Sequence, residues 1–412
     1  MSVNRFARRR IFLMGLMTPI VFYAFHGMGY TKIDVKRYFP VTSQIRKLMS
    51  VSNAQKPQKI VILYGNQRSG STFMGEMFNK NTNAFYLYEP LFPYTPHCHF
   101  LNEERLETLK KMMNCQFSDS ASAFKLARNF TKASDTVSGC VINNACFASR
   151  SDALSIRYKQ FCKSSTFLSI AQKCEFPLRA DVISTICSQT EVVAFKVLRI
   201  CSLKDIEEIY KDFKNRGKDV YVIHLLRDPR AIISSKLKLE LKESNALQKA
   251  GELCSKIHRN LEYINGTTDP PLLIRDEKYL RIRYEDASME PISTASKIYG
   301  FLGLELPAEV EGWLKMSTIQ PHKKLVEIEK KLKEGESNRN AVLKSFITLE
   351  KQLRNPYGTI RDPSTTVQKW RNSMSFSTVS GIQKICEKVL AKLNYTTVNT
   401  VAELADTTKI LW

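Results

Sequence analysis

The 412 residues predict an α/β protein, a P-loop-like parallel sheet flanked by helices and preceded by an N-terminal transmembrane helix. Three observations lead there. Compact β-branched runs, "KIVILYG" (59–65), "EVVAFKVLRI" (191–200) and "KDVYVIHLLRDP" (218–229), alternate with amphipathic helical stretches, the pattern of parallel strands joined by crossover helices. The first run ends in a glycine loop that opens a helix, which is the setting of a phosphate-binding loop. Ahead of both, "IFLMGLMTPIVFYAFHGMGY" is an apolar run of about 20 residues, long enough to span a bilayer.

In chain order, Arg5, Arg8, Arg9 and Arg10 precede the apolar run, and only Lys32, Lys36 and Arg37 follow closely. That bias favours a cytoplasmic amino terminus. A cleaved signal peptide and a buried core helix are the competing readings. No A-x-A site follows, however, and the run is long for a signal core. Pro19 and His26 weaken the span without excluding it. The expected organisation is a cytoplasmic tail at 1–10, a signal-anchor at 11–31, a polar stem at 32–58 and a lumenal domain at 59–412. Ten cysteines, none in a C-x-x-C pair, read as disulfides in an oxidising compartment. Sequons at Asn129, Asn265 and Asn394 point the same way.

Within the domain, "STFMGEMFNK" (71–80) carries apolar residues at helical spacing and predicts a helix begun by a Ser/Thr cap. Residues 98–190 hold helical pieces and no strand series, an insertion or cap over the sheet. "SLKDIEEIYKDFKNRG" (202–217) is an amphipathic helix stopped by Gly217. One long helical stretch is expected from about Arg230 to Ile264, a strand over "YLRIRYEDA" (279–287) and a helix over "STASKIYGFLGL" (293–304). The lysine-rich residues 320–356 read as a solvated helix or loop.

The charge balance is uneven, with 62 Lys+Arg against 40 Asp+Glu and a net charge of +22. Such a chain attracts polyanions. No zinc spacing, RNA-binding signature or basic zipper turns that charge into nucleic-acid readout, so no nucleic-acid partner is expected. Phosphorylated or sulfated small molecules and glycans remain.

Ligands of open parallel sheets bind at the carboxyl ends of the strands, and two loops there carry matching chemistry. In the first, Gly65 and Gly70 keep the spacing of G-x-x-x-x-G-K-[ST], yet Ser71 stands in place of the lysine and Arg68 is the nearby cation. Backbone N–H groups and Arg68, Ser69, Ser71 and Thr72 form an anion cradle. The second, "LLRDPRAIISSK" (225–236), offers Arg227 at a strand end, Pro229 at a helix start and Ser234 and Ser235 on its first turns. Two separated anionic groups suit this pair better than ATP, which calls for the loop lysine and an acidic strand end for Mg²⁺.

With "RSGSTFMGEMF", "FYLYEPL", "LLRDPRAIISSK", "IRYED", "IYGFLGL" and "KWRNSMSF" in this order, the sequence resembles the membrane-bound carbohydrate sulfotransferases over about residues 59 to 395. The resemblance is to the group that sulfates the 6-hydroxyl of galactose, N-acetylgalactosamine or N-acetylglucosamine. It implies the sulfotransferase fold, a Golgi type II membrane protein, 3′-phosphoadenosine 5′-phosphosulfate as co-substrate, no metal and a glycan or proteoglycan acceptor. It further implies that Arg68, Ser69, Gly70, Ser71 and Thr72, with Phe73 and Met74 behind them, hold the 5′-phosphosulfate. Arg227 and Ser235 would hold the 3′-phosphate, and Glu89 in "LYEPL" would be the base, with Arg68 assisting catalysis; the competing reading of Glu89 is a structural cap or a pair with an arginine. The competing readings are a non-glycan acceptor and a silent glycan-binding protein. His224, the rival candidate for the base, reads as a core residue, Lys196 and Arg199 as solvated charges or as groups facing the donor, and Trp370 and Arg371 as an ordinary packed pair or a cover over the ligand. A homodimer is compatible with the sequence, which carries no sign for or against one.

Overall fold

The protein is described by a computed structural model covering residues 57–91, 102–117, 151–153, 180–239, 241–266, 269–319 and 363–412, with isolated positions between 327 and 347. Five strands, β1 (Lys59–Gly65), β2 (Ala84–Leu87), β3 (Val192–Val197), β4 (Asp219–Leu226) and β5 (Tyr279–Arg283), form one sheet in the order β2-β3-β1-β4-β5. All four pairings are parallel. The chain leaves β1 for β2 on one side and later crosses over to β4 on the other. The carboxyl ends of β1, β3 and β4 therefore lie side by side at a switch point, where such sheets take ligands.

Both faces of the sheet are covered, which is why the strands are continuous apolar runs. Ile60, Ile62 and Tyr64 pack with helices α2 (Asn102–Met113), α3 (Ala180–Ser188) and α4 (Leu203–Asn215), while α1 (Ser71–Asn79) meets Val61 and Leu63 on the other face. Helix α4 starts from a full capping box, Ser202 with Asp205. Further along, α5 (Pro229–Leu237), a 3₁₀ turn (Glu243–Asn245) and α6 (Ala246–Ile264) lead through the short α7 (Leu272–Arg275) to β5. Next come α8 (Tyr284–Met289), α9 (Pro291–Phe301), α10 (Ala308–Leu314) and a π turn (Lys315–Ile319). The last helices are α11 (Pro363–Gln368), α12 (Phe376–Ile385), α13 (Glu387–Lys392) and α14 (Val401–Ala405). Disulfides join Cys115 to Cys187 and Cys254 to Cys386, and Cys201 is also disulfide-bonded.

Four expectations are corrected. Strand β2 was not anticipated, because four residues give too short an alternation to read. The stretch 230–264 is two helices rather than one, since α5 ends at Leu237 and α6 begins at Ala246. The strand expected over 279–287 stops at Arg283 and turns directly into α8, where Arg283 pairs with Asp286 at 2.9 Å. The helix after the first loop is capped by Gly70 with no side-chain hydrogen bond, and Ser71 is already helical. The tail, anchor and stem expected over 1–58 lie outside the described residues except for the last two positions. Among the described residues no helix is long and apolar enough to cross a membrane.

Candidate active site

The first loop is shaped by two left-handed residues, Arg68 at φ 68° and Gly70 at φ 87°. For Gly70 the conformation and the space both exclude a side chain. A Cβ there would stand 2.1 Å from the Tyr284 ring, which closes over the loop from the start of α8. For Arg68 the conformation stores strain, on the order of 1–3 kcal/mol for a non-glycine residue. Its guanidinium reaches α5, where Nε donates to Ser235 Oγ at 3.0 Å. Ser69 is fully buried, and its Oγ has no hydrogen-bond partner among the described residues.

The second loop meets the first because Gly65 on β1 is in register with Leu225 on β4. Arg227 Nη1 donates to the Arg68 carbonyl at 2.9 Å, and its guanidinium lies 4.4 Å from the centre of the Tyr284 ring. Its Nε is buried without a partner among the described residues. Asp228 caps α5 through the Arg230 N–H and pairs with the buried Arg230 side chain at 2.8 Å. Arg230 stacks on Trp370 at 4.5 Å and donates to Gln383 and to the Thr396 carbonyl. Behind Asp228, its N–H donates to Glu285, which also accepts from Tyr395 at 2.7 Å. Burial, then the neighbouring Asp228 carboxylate, hold the Glu285 carboxyl above the usual carboxylate range.

A third group sits at the ends of β2 and β3. Glu89, with φ 46°, follows β2 and contacts Lys196 Nζ on β3 at 2.9 Å. The same ammonium donates to Thr72 Oγ1 at 3.2 Å and lies 3.4 Å from the centre of the Tyr88 ring. Lys196 is 1% exposed and Glu89 12%. One lysine thus ties the expected base to the first turn of α1. The sequence leaves Lys196 as a solvated charge or a group facing the donor. Its position next to the end of a buried strand was the only signal that could have marked it.

The structure therefore brings together Arg68, Ser69, Gly70, Ser71, Thr72, Arg227, Ser235 and Glu89. Phe73 and Met74 are turned away. Phe73 packs on Trp313 and Met74 is core, with its amide engaged by the Gly70 carbonyl. Met74 has neither side chain nor N–H to offer a ligand. Trp370 and Arg371 do not cover the ligand site either, because Arg371 is spent on the carbonyls of Glu403, Leu404 and Lys409. His224 is a core residue bonded to Tyr279, and burial pulls its pKa down to about 3, so it stays neutral. Among the described residues no cluster of His, Cys, Asp or Glu side chains is placed to hold a metal ion.

The donor set fits a ligand with two anionic ends. Arg68, Ser69 Oγ and the uncapped first turn of α1 serve one end, and Arg227 and Ser235 serve the other. Buried donors without acceptors are costly in a folded protein, and here Ser69 Oγ and Arg227 Nε both lie at the place where an anion would satisfy them.

The chain is 25% identical over 379 residues to carbohydrate sulfotransferase 1 of Danio rerio, covering 85% of this chain and 81% of the relative. It is 24% identical over 387 residues to carbohydrate sulfotransferase 3 of Tetronarce californica, covering 89% and 77%. It is 22% identical to carbohydrate sulfotransferase 2 of Mus musculus, covering 86% and 68%. Among solved structures, the sulfotransferase domain from the Synechococcus PCC 7002 olefin synthase aligns at 16% identity with a TM-score of 0.38, covering 81% of this chain and 95% of that one. The profile of the sulfotransferase family matches residues 60–308, a span that contains both loops, Glu89 and Lys196, and the chain belongs to that family.

Proposed function

We propose that this chain transfers a sulfuryl group from 3′-phosphoadenosine 5′-phosphosulfate to the 6-hydroxyl of galactose, N-acetylglucosamine or N-acetylgalactosamine in a glycan or proteoglycan. One observation carries the reading: Arg68 bridges two anion-binding loops while Lys196 ties Glu89 to the helix that begins at the first of them. The names of the relatives support a sugar acceptor. The exposed sequon residues Asn265 and Asn394 and the disulfides support the rest of the proposal, a type II Golgi membrane protein with its domain in the lumen.

When bound, the donor supplies a sulfonate attached to a phosphate leaving group. Arg68 and the first-turn N–H groups of α1 hold that phosphate and meet the charge that builds on its bridging oxygen as the sulfur–oxygen bond breaks. Arg227 and Ser235 hold the 3′-phosphate and fix the register of the donor. Glu89 takes the proton of the attacking sugar hydroxyl at a carboxylate oxygen. Lys196 orients that carboxylate and keeps its spacing from Thr72, so that base and leaving group are held apart by one side chain. Hydrogen bonds to charged groups contribute about 1.5–3 kcal/mol each, so losing one costs one to two orders of magnitude in rate.

The test uses radiolabelled donor and a panel of desulfated glycans with wild type and Glu89→Gln. Label at the 6-position of one sugar, lost in the variant, is the expected result. Donor binding without label on any glycan would overturn the reading in favour of another acceptor or a silent binder.

A further inference from the structure

The peptide between Arg227 and Asp228 lies past the end of the sheet ladder. The last matched pairs around it are Gly65 with Leu225 and Leu226 with Arg283, and β5 turns into α8 at the next residue. Among the described residues no strand continues alongside to accept the Asp228 N–H. A side chain takes that place: Glu285 Oε1 accepts from the Asp228 N–H at 3.1 Å. The other oxygen of the same carboxyl accepts from the Tyr395 hydroxyl at 2.7 Å.

The Arg227 side chain is gripped from the same short element. Tyr284, one residue before Glu285, lays its ring with the centre 4.4 Å from the Arg227 guanidinium, and Nη1 reaches the Arg68 carbonyl at 2.9 Å. One residue earlier again, Arg283 pairs with Asp286 and donates to the Leu393 carbonyl at 3.1 Å. Residues 283 and 285 are thus tied to residues 393 and 395, while Arg230 on α5 donates to the Thr396 carbonyl. The C-terminal segment 393–396 straps the start of α8 and the start of α5 together.

Packing alone does not require a carboxyl at this place. Glu285 is 1% exposed, and a buried carboxyl is a costly way to join elements that apolar side chains would join as well. What it supplies that they cannot is an acceptor for one backbone N–H, next to the residue proposed to hold the 3′-phosphate. With that peptide held, the buried Arg227 Nε keeps its direction although it has no partner among the described residues. We propose that Glu285 is a positioning residue for the donor's 3′-phosphate, fixing the peptide between Arg227 and Asp228 while Tyr395 fixes Glu285. This rests on the proposed use of 3′-phosphoadenosine 5′-phosphosulfate and deepens it, because it names what holds the arginine that reads the 3′ end.

The test compares wild type, Glu285→Ala, Glu285→Gln and Tyr395→Phe in the full-length chain. Calorimetry measures adenosine 3′,5′-bisphosphate against adenosine 5′-phosphate, which differ only in the 3′-phosphate, and labelled donor measures KM and kcat. In Glu285→Ala the ratio of the two affinities falls about tenfold. Affinity for adenosine 5′-phosphate holds, and the donor KM rises with little change in kcat. Glu285→Gln restores most of the ratio, because its amide oxygen still accepts from the Asp228 N–H. Tyr395→Phe lowers the ratio about threefold, and it decides alone if Glu285→Ala does not fold. A loss shared equally by both nucleotides would make the role merely structural and overturn the proposal, as would an unchanged ratio. Wild type that binds the two nucleotides alike would overturn it together with the assignment of the second loop. A ratio that depends on Glu285 in a protein that labels no glycan would leave the positioning role standing and sink the proposed transfer instead.

Discussion

Arg68 concentrates the chemistry of the site in one residue, because its guanidinium reaches Ser235 while its carbonyl accepts from Arg227. Arg68→Ala deletes the first contact and keeps the second. Transfer is expected to fall at least about 100-fold, with the thermal midpoint within a few degrees of wild type; a variant that retains activity would remove Arg68 from the mechanism. Glu285 titrates in the opposite sense to most carboxylates in a fold. Its folded pKa is raised, so above the ordinary glutamate value of about 4.3 the folded state binds more protons than the unfolded one. Stability contributed by this group therefore falls as pH rises from that value through the folded pKa. In Glu285→Gln the thermal midpoint should lose this decline, and an unchanged pH slope would show that the group does not titrate there. At this scale the sequence was partly legible. Arg68, Ser235 and Glu89 stand out by motif, whereas Lys196 does not, because its partner Glu89 lies more than a hundred residues earlier, just beyond the end of the neighbouring strand.

Among the elements, the first loop depends on a residue remote from it. Tyr284 begins α8, and its ring fills the place where a side chain at position 70 would stand. Gly70→Ala combines a left-handed backbone with overlap, costing about 2–4 kcal/mol. Chemical denaturation should register that loss together with weaker binding of adenosine 3′,5′-bisphosphate; wild-type values for both would mean that the loop tolerates movement of Tyr284. The sequence marked Gly70 as a turn residue but not Tyr284 as its wall, since that contact follows from the register of β5 on β4. Strands β1, β3 and β4 were legible because burial on both faces demands unbroken apolar runs. The break between α5 and α6 was not, because no proline or glycine marks it.

For the molecule as a whole, the bridge from Cys254 to Cys386 closes a span of 132 residues and fastens α6 to the end of α12. In the chain-entropy account a loop of that length is worth on the order of 5 kcal/mol. The pair Cys254→Ala and Cys386→Ala, made together, should lower unfolding stability by about 2–5 kcal/mol in a denaturant titration of the oxidised protein. No change would mean that packing of α6 and α12 suffices. The paired cysteines were countable from sequence, but their partners depend on three-dimensional proximity.

The lattice of bonds around Arg230 has a consequence for the birth of the protein. Tyr395, Thr396 and the carbonyls of residues 403–409 are partners of Glu285, Arg230 and Arg371. On the ribosome, the strands and both candidate-site loops are synthesised well before those partners emerge. A nascent chain that extends past Ser235 but stops short of Tyr395 carries every candidate site residue and lacks the support beneath its second loop. A chain cut before Tyr395 is therefore expected to keep its sheet and to lose thermal stability at the second loop.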